Sequence, residues 1–250
     1  LFQPRDATLI IVGDLSREAA FAGAERAFAG WVGAGTVAAV TTPPPEVHGP
    51  RIAVIVRHDL QQVNESVFAR GPVPRSPDFV AFAVIAELLG GYGSSRLVEE
   101  LRESGAGYSP SSFVSVEREA SWVSCRGAFD KARAIDAVRR TLAAVERLRD
   151  DGVTPDELTT AREALLADWR WRLASVDGAA HAFEQDVWLG VDRARSFPED
   201  VMKVTRQDIA RVASAYLRPD ALHVLFDGND DEIVVESLGM GAPMRISQSK

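Results

Sequence analysis

The run GAGTVAAVTTPPPEVHGP, residues 33–50, constrains this chain more than any other stretch. Each of its three consecutive prolines fixes φ and lacks a backbone N–H, so neither a helix interior nor a sheet ladder runs through them. Small residues and almost no charge surround the prolines, which reads as a linker and not as a packed element. The chain is therefore expected to divide into four parts. Residues 1–32 carry a strand and a helix, 33–50 are the linker, 51–238 form the main unit, and 239–250 are a tail.

Hydrophobic patterning fills in these parts. ATLIIVGD, from Ala7 to Asp14, is a short apolar run closed by Gly-Asp and predicts a strand, followed by a helix capped at Ser16 and reaching about Phe28. Beyond the linker, Arg51 to Asp59 and Asn64 to Val73 predict two strands. Ser76-Pro77-Asp78 predicts a helix start with proline in the first position, leading into FVAFAVIAELLGG. SPSSFVSVERE and ASWVSCRGAF predict an antiparallel pair with Glu117 to Glu119 at its tip.

A long helix is expected from Asp130 to Gly152, with Ile135, Val138, Leu142, Val145 and Leu148 on one face. Thr154-Pro155-Asp156-Glu157 is a capping box that opens the next one. Ala179 to Leu189 and Thr205 to Leu217 predict two more helices, and Ala221 to Gly228 a closing strand. Strands and helices come in groups, without strict alternation. The expected class is α+β, a mostly antiparallel sheet covered on one face by helices, with a doubly wound α/β arrangement as the alternative. PRDATLIIVGD and RPDALHVLFDG echo one another, which suggests that the first thirty or so residues are the tail of a preceding, related unit.

Composition excludes several functions. The net charge of −8 argues against a nucleic-acid surface, and no apolar run approaches the roughly 18 residues that cross a bilayer. No basic and then apolar leader opens at Leu1, so no signal peptide is expected in the chain. An alanine- and arginine-rich, lysine-poor composition suggests a bacterial origin, and a soluble protein of either the cytoplasm or the periplasm. The single Cys125 rules out an internal disulfide and lies in a strand-like context, where a buried, inert thiol is expected.

The stretch most suggestive of chemistry is LLGGYGSSRLVEELRESGAGYS, Leu88 to Ser109. A phosphate loop would carry a lysine, and a dinucleotide fingerprint would have a third glycine where Arg96 stands. A helix end at Gly90-Gly91 and a new cap at Ser94 or Ser95 account for these residues better. The four histidines are His48, His58, His181 and His223. HAFEQ places Gln185 where a zinc-binding H-x-x-E-H helix needs its second histidine, so no metal site and no catalytic apparatus is expected in this chain alone.

The order of these pieces carries a resemblance. LGGYGSSRLVEELRESGAGYS, with the flanking PRDATLIIVGDLS, GVTPDELTTAREAL and VTRQDIARVASAYLRPDALHVLFDG, resembles the C-terminal, non-catalytic half of insulinase- or pitrilysin-type zinc peptidases, which include the mitochondrial processing peptidase. The resemblance implies two similar halves around a chamber. Zinc is held by an H-x-x-E-H half elsewhere, an N-terminal half or a homologous catalytic subunit, and this chain holds no cofactor. It also implies that Arg102 and Tyr108 face a bound peptide substrate, although LRESGAGY is one residue shorter than the family's usual run. Arg96 is expected to be structural. Two other readings stay open: a non-proteolytic scaffold of the same fold, like the core proteins of the respiratory chain, and an unrelated α+β ligand-binding domain.

Overall fold

The computed structural model describes residues 3–33, 51–103, 107–229 and 235–247, with the side chains at 103, 107, 108, 236 and 247 outside that set. His48 and nearly all of the linker lie outside the described residues. The architecture is the expected one. Six strands form one sheet, β1 Ile52–Val56, β2 Gln62–Gly71, β3 Gly107–Glu117, β4 Ala120–Asp130, β5 Leu222–Gly228 and β6 Met244–Ser247, in the order β3-β4-β2-β5-β1-β6. The β3-β4-β2-β5 run is antiparallel, whereas β1 lies parallel to both β5 and β6.

Burial alternates along the central strands, the signature of a sheet covered on one face. Val63, Val67 and Ala69 of β2 and Leu222, Val224 and Phe226 of β5 point inward, while Phe68 stacks on His223 at 5.4 Å on the opposite face. Against the inner face lie α2 (Phe79–Gly90) and α4 (Ala134–Asp151). Nine of the twelve residues of α2 are buried, because β3, α5 and α8 pack around it. A Cβ on Gly71 of β2 would run into the ring of Phe82, so the sheet-to-α2 distance depends on that glycine.

Further helices complete the layer: α3 Arg96–Glu103, α5 Pro155–Leu173, α6 Val176–Leu189, α7 Arg193–Lys203 and α8 Arg206–Tyr216. The capping box is present as read. The Glu157 amide donates to Thr154 Oγ1 at 3.1 Å and Glu157 Oε2 accepts from the Thr154 amide at 2.7 Å. Gly152, at φ 73°, ends α4 as expected. Pro77, however, precedes the helix by two residues. A turn comes first, in which the Asp78 amide donates to Ser76 Oγ at 3.2 Å, and α2 begins at Phe79. No described helix is long and apolar enough to cross a membrane.

The strand expected over Ala7 to Asp14 does not form. A strand needs a neighbour to satisfy its amides, and none of the sheet's described strands pairs with this segment. The helix after it, α1 (Arg17–Phe28), does form and is capped by Ser16 Oγ, which accepts from the Ala19 amide at 3.1 Å. None of its residues is buried, and Leu9, Ile11, Leu15 and Phe21 stay exposed.

Candidate functional site

The glycine-rich turn owes its shape to the end of α2. A Cβ on Gly90 would meet the backbone of Ser112 and, at 2.7 Å, that of Ser111, so the helix end lies directly on β3. The Gly91 amide donates to the Glu87 carbonyl at 2.9 Å and caps the helix. Ser95 takes the cap position of α3, but its hydroxyl is buried without a hydrogen-bond partner, so the expected side-chain cap is not made.

Short α3 is anchored by both its apolar and its charged side chains. Leu97 and Leu101, four residues apart, are buried. On its flank Glu100 accepts from Arg140 at 3.0 Å and Arg147 at 2.8 Å, both from α4. Arg96 reaches Glu157 through two bonds, at 2.8 and 3.1 Å, and the Gly152 carbonyl at 2.8 Å. It is thus the structural residue that the sequence suggested.

Arg102 stands one helical turn beyond Val98 on the exposed side of α3. With Gly91, Gly93, Ser109 and Pro110 it lines a hollow of about 620 Å³. Tyr108, the second residue of β3, lies opposite Ala128, where the register shifts before Ser111 and Ser109 takes a left-handed φ of 52°. Its side chain lies outside the described residues. The hollow is therefore built from the end of α2, the flank of α3 and the bulged start of β3.

The other candidates do not converge. His58 Nδ1 lies 3.3 Å from Asn229 Oδ1, His223 stacks on Phe68, and His181 pairs with Glu184 at 3.1 Å on the exposed side of α6. No group of three or more His, Cys, Asp or Glu side chains among the described residues is placed to hold a metal ion, and the residues present do not fit a zinc centre. Cys125 is buried, its thiol donates to Ser112 Oγ at 3.7 Å, and burial pushes its pKa up to about 12.

Two carboxylates escaped the sequence reading, though each left a signal. Glu65 shares the inward parity of Val63 and Val67 on β2, and Glu87 is the single charge in the apolar run of α2. Glu87 borders a cleft of about 400 Å³ between β3 on one side and α5 and α6 on the other, with α2 as its floor. Burial, and then the neighbouring Asp168, raise its pKa to about 7. Asp168 itself is paired with Arg172 at 2.6 Å.

The model of the peptidase M16 inactive domain matches residues 1–165. Among solved structures, a protease from Helicobacter pylori superposes with a TM-score of 0.79 at 20% identity, over 87% of this chain and 53% of that one. A peptidase M16 inactive domain from Pseudomonas fluorescens gives 0.76 at 20% identity, over 87% and 52%. A chain of complex III from Candida albicans gives 0.76 at 14% identity, over 91% and 56%. The chain thus spans about half the length of these structures. No curated protein matches it.

Proposed function

Because this chain belongs to the peptidase M16 inactive-domain family, we propose that it is the substrate-facing, non-catalytic half of a two-half zinc metallopeptidase. Its partner is a catalytic half, preceding it in a longer chain or supplied as a homologous subunit. In this reading residues 1–32 close that preceding half, which accounts for an α1 with no buried residue and for apolar side chains left exposed around it. The zinc, which the partner carries, supplies the activated water for peptide hydrolysis.

The observation that carries the reading is the place of Arg102 on α3, lining a hollow at the start of β3 where Tyr108 stands. An arginine fork holds a peptide carbonyl or carboxylate without changing its own charge. A tyrosine hydroxyl donates to a carbonyl oxygen as that oxygen gains negative charge. Neither group cleaves a peptide alone, so the isolated chain is expected to be inactive and to bind extended peptide only.

The test uses the chain joined to its catalytic half and a quenched fluorescent peptide. Tyr108→Phe is expected to lower kcat about 100-fold, the size of losing one such donor, and Arg102→Ala to raise KM. Full activity in both variants would remove these roles. A second reading keeps the fold as a non-proteolytic assembly subunit, and the likeness to a complex III chain favours it. A partner half that lacks an H-x-x-E-H helix decides for that reading.

A further inference from the structure

The cleft beside Glu87 has two unlike ends. Phe79, Ala83 and Glu87 recur every fourth residue along α2, so they share a face, and all three line the cleft. Eight residues of helix separate the first from the last, which gives a floor about 12 Å long. Phe79 and Phe197 of α7 are nearly buried, and the Phe197 ring lies 4.8 Å from that of Trp169 on α5. Leu165, Leu189 and Val116 extend the apolar wall. The turn end of the floor carries one carboxylate. A Cβ on Gly91 would collide with it, so the bare glycine gives the Glu87 carboxylate its seat.

We infer that this cleft is a binding site for a small organic amine, its ammonium group on Glu87 and its aryl or alkyl body along the floor of α2. The volume of about 400 Å³ lies within the range of small-molecule sites, roughly 300–1,000 Å³. An apolar body of about 10 Å, such as a benzene ring on a short carbon chain, reaches from Glu87 towards Phe79. Taking that body out of water favours binding by about 25 cal/mol for each Å² buried. The head requires an anion that no protein cation has already taken.

Glu87 is such an anion. It makes no ion pair or side-chain hydrogen bond among the described residues. The titratable and charged groups around it are Tyr92 of the turn, Asp168 and Arg172 of α5, Asp186 of α6 and Arg193 of α7. Burial pushes the Tyr92 pKa up, which keeps that phenol neutral. Arg172 is taken up by Asp168 at 2.6 Å. Asp186 accepts from the Ala194 amide at 2.6 Å and is offset by the neighbouring Arg193 charge. Arg193 itself lies over the Phe79 ring at 3.8 Å. Glu87 is left unbalanced, in a half-buried place where low polarity strengthens its pull on a cation. Its pKa stands at about 7. A bound ammonium favours the ionised carboxylate, so affinity for an amine rises with pH. The amine stays protonated throughout, since alkyl ammonium groups titrate above about 10.

The inference needs neither zinc nor a partner half, and it stands or falls apart from the roles of Arg102 and Tyr108. The 250-residue chain is titrated by isothermal calorimetry with 4-phenylbutylamine and with 4-phenylbutan-1-ol, which has the same shape and no charge. At pH 8 the amine is expected to bind about tenfold tighter than the alcohol, the size of one hydrogen bond to a charged group. Its affinity should fall about fivefold between pH 8 and pH 6, as Glu87 takes up a proton. Both readings come from the unaltered chain, so neither depends on a variant that folds. Glu87→Gln should bind the two ligands equally at either pH, with the affinity for the alcohol kept. Ala83→Leu fills the floor and should weaken both ligands about tenfold, with an unchanged circular dichroism spectrum. The proposal is overturned if the unaltered chain binds neither ligand, or does not prefer the amine at pH 8. An amine preference that ignores pH or survives in Glu87→Gln overturns it too, as does full binding by Ala83→Leu, which places the ligand elsewhere.

Discussion

Glu65→Gln is the substitution whose outcome follows most directly from the structure. Glu65 is 2% exposed, Thr141 donates to its Oε1 at 3.2 Å, and its Oε2 has no partner. Burial raises its pKa from 4.5 to about 8, with the Thr141 bond opposing the rise. Between those two values the folded protein keeps a proton that the unfolded chain has lost. Stability therefore falls as pH rises, by about 1.4 kcal/mol per pH unit. The contribution is intact below pH 4.5 and fully lost once the pH has passed about 8.

By pH 7 the loss amounts to about 3 kcal/mol, a large part of a domain's usual stability. Glutamine has nearly the same shape, accepts the Thr141 bond and never ionises. Its buried amide N–H costs about 1 kcal/mol at every pH, so the pH dependence, and not the absolute value, is diagnostic. Urea unfolding at pH 5, 6, 7 and 8 measures it. The advantage of the glutamine variant over the native protein should grow by about 2.5 kcal/mol between pH 5 and pH 7. Parallel profiles for the two proteins would refute the reasoning and show that water reaches Glu65 in the folded state.

Two smaller predictions accompany this one. Cys125, its thiol pushed to about 12 by burial, should not react with a disulfide reagent at pH 8 until denaturant is added; prompt reaction in the native protein would contradict its burial. Gly90→Ala drives a methyl into the backbone of Ser111 and Ser112 and should cost about 1–3 kcal/mol in urea unfolding, as overpacking does. An unchanged midpoint would mean that the end of α2 is free to lift off β3.

The elements that sequence could reveal are those whose signals are local. Thr154 and Glu157 sit three residues apart, and Gly152 two before Thr154, so the end of one helix and the start of the next were written in six residues. Two elements lacked such marks. Pro198 lies inside α7, where a proline ordinarily argues for a break. β6 has only four residues, and its strand character comes from lying beside β1, about two hundred residues earlier. The strand expected at Ala7 to Asp14 failed for the converse reason, since local pattern supplied the strand and no partner in the sheet received it.

The site divides in the same way. The turn from Gly90 to Ser95 was visible as a motif, and Arg102 and Tyr108 stood out only through the family resemblance. The cleft at Glu87 depends on α2, β3, α5 and α6 meeting, and no stretch of sequence spells out that meeting. Its one trace was a lone carboxylate in an otherwise apolar helix.

Glu157 has a consequence that is mechanical. One carboxylate both caps the start of α5 and grips Arg96 at the start of α3. The guanidinium also holds the Gly152 carbonyl that ends α4. Three helix ends are pinned at one point, so α3, which carries Arg102, cannot tilt without dragging the foot of α5, which walls the cleft. The hollow beside Arg102 and the wall of the cleft at Glu87 are therefore joined through one ion pair, and the geometry of each depends on Glu157.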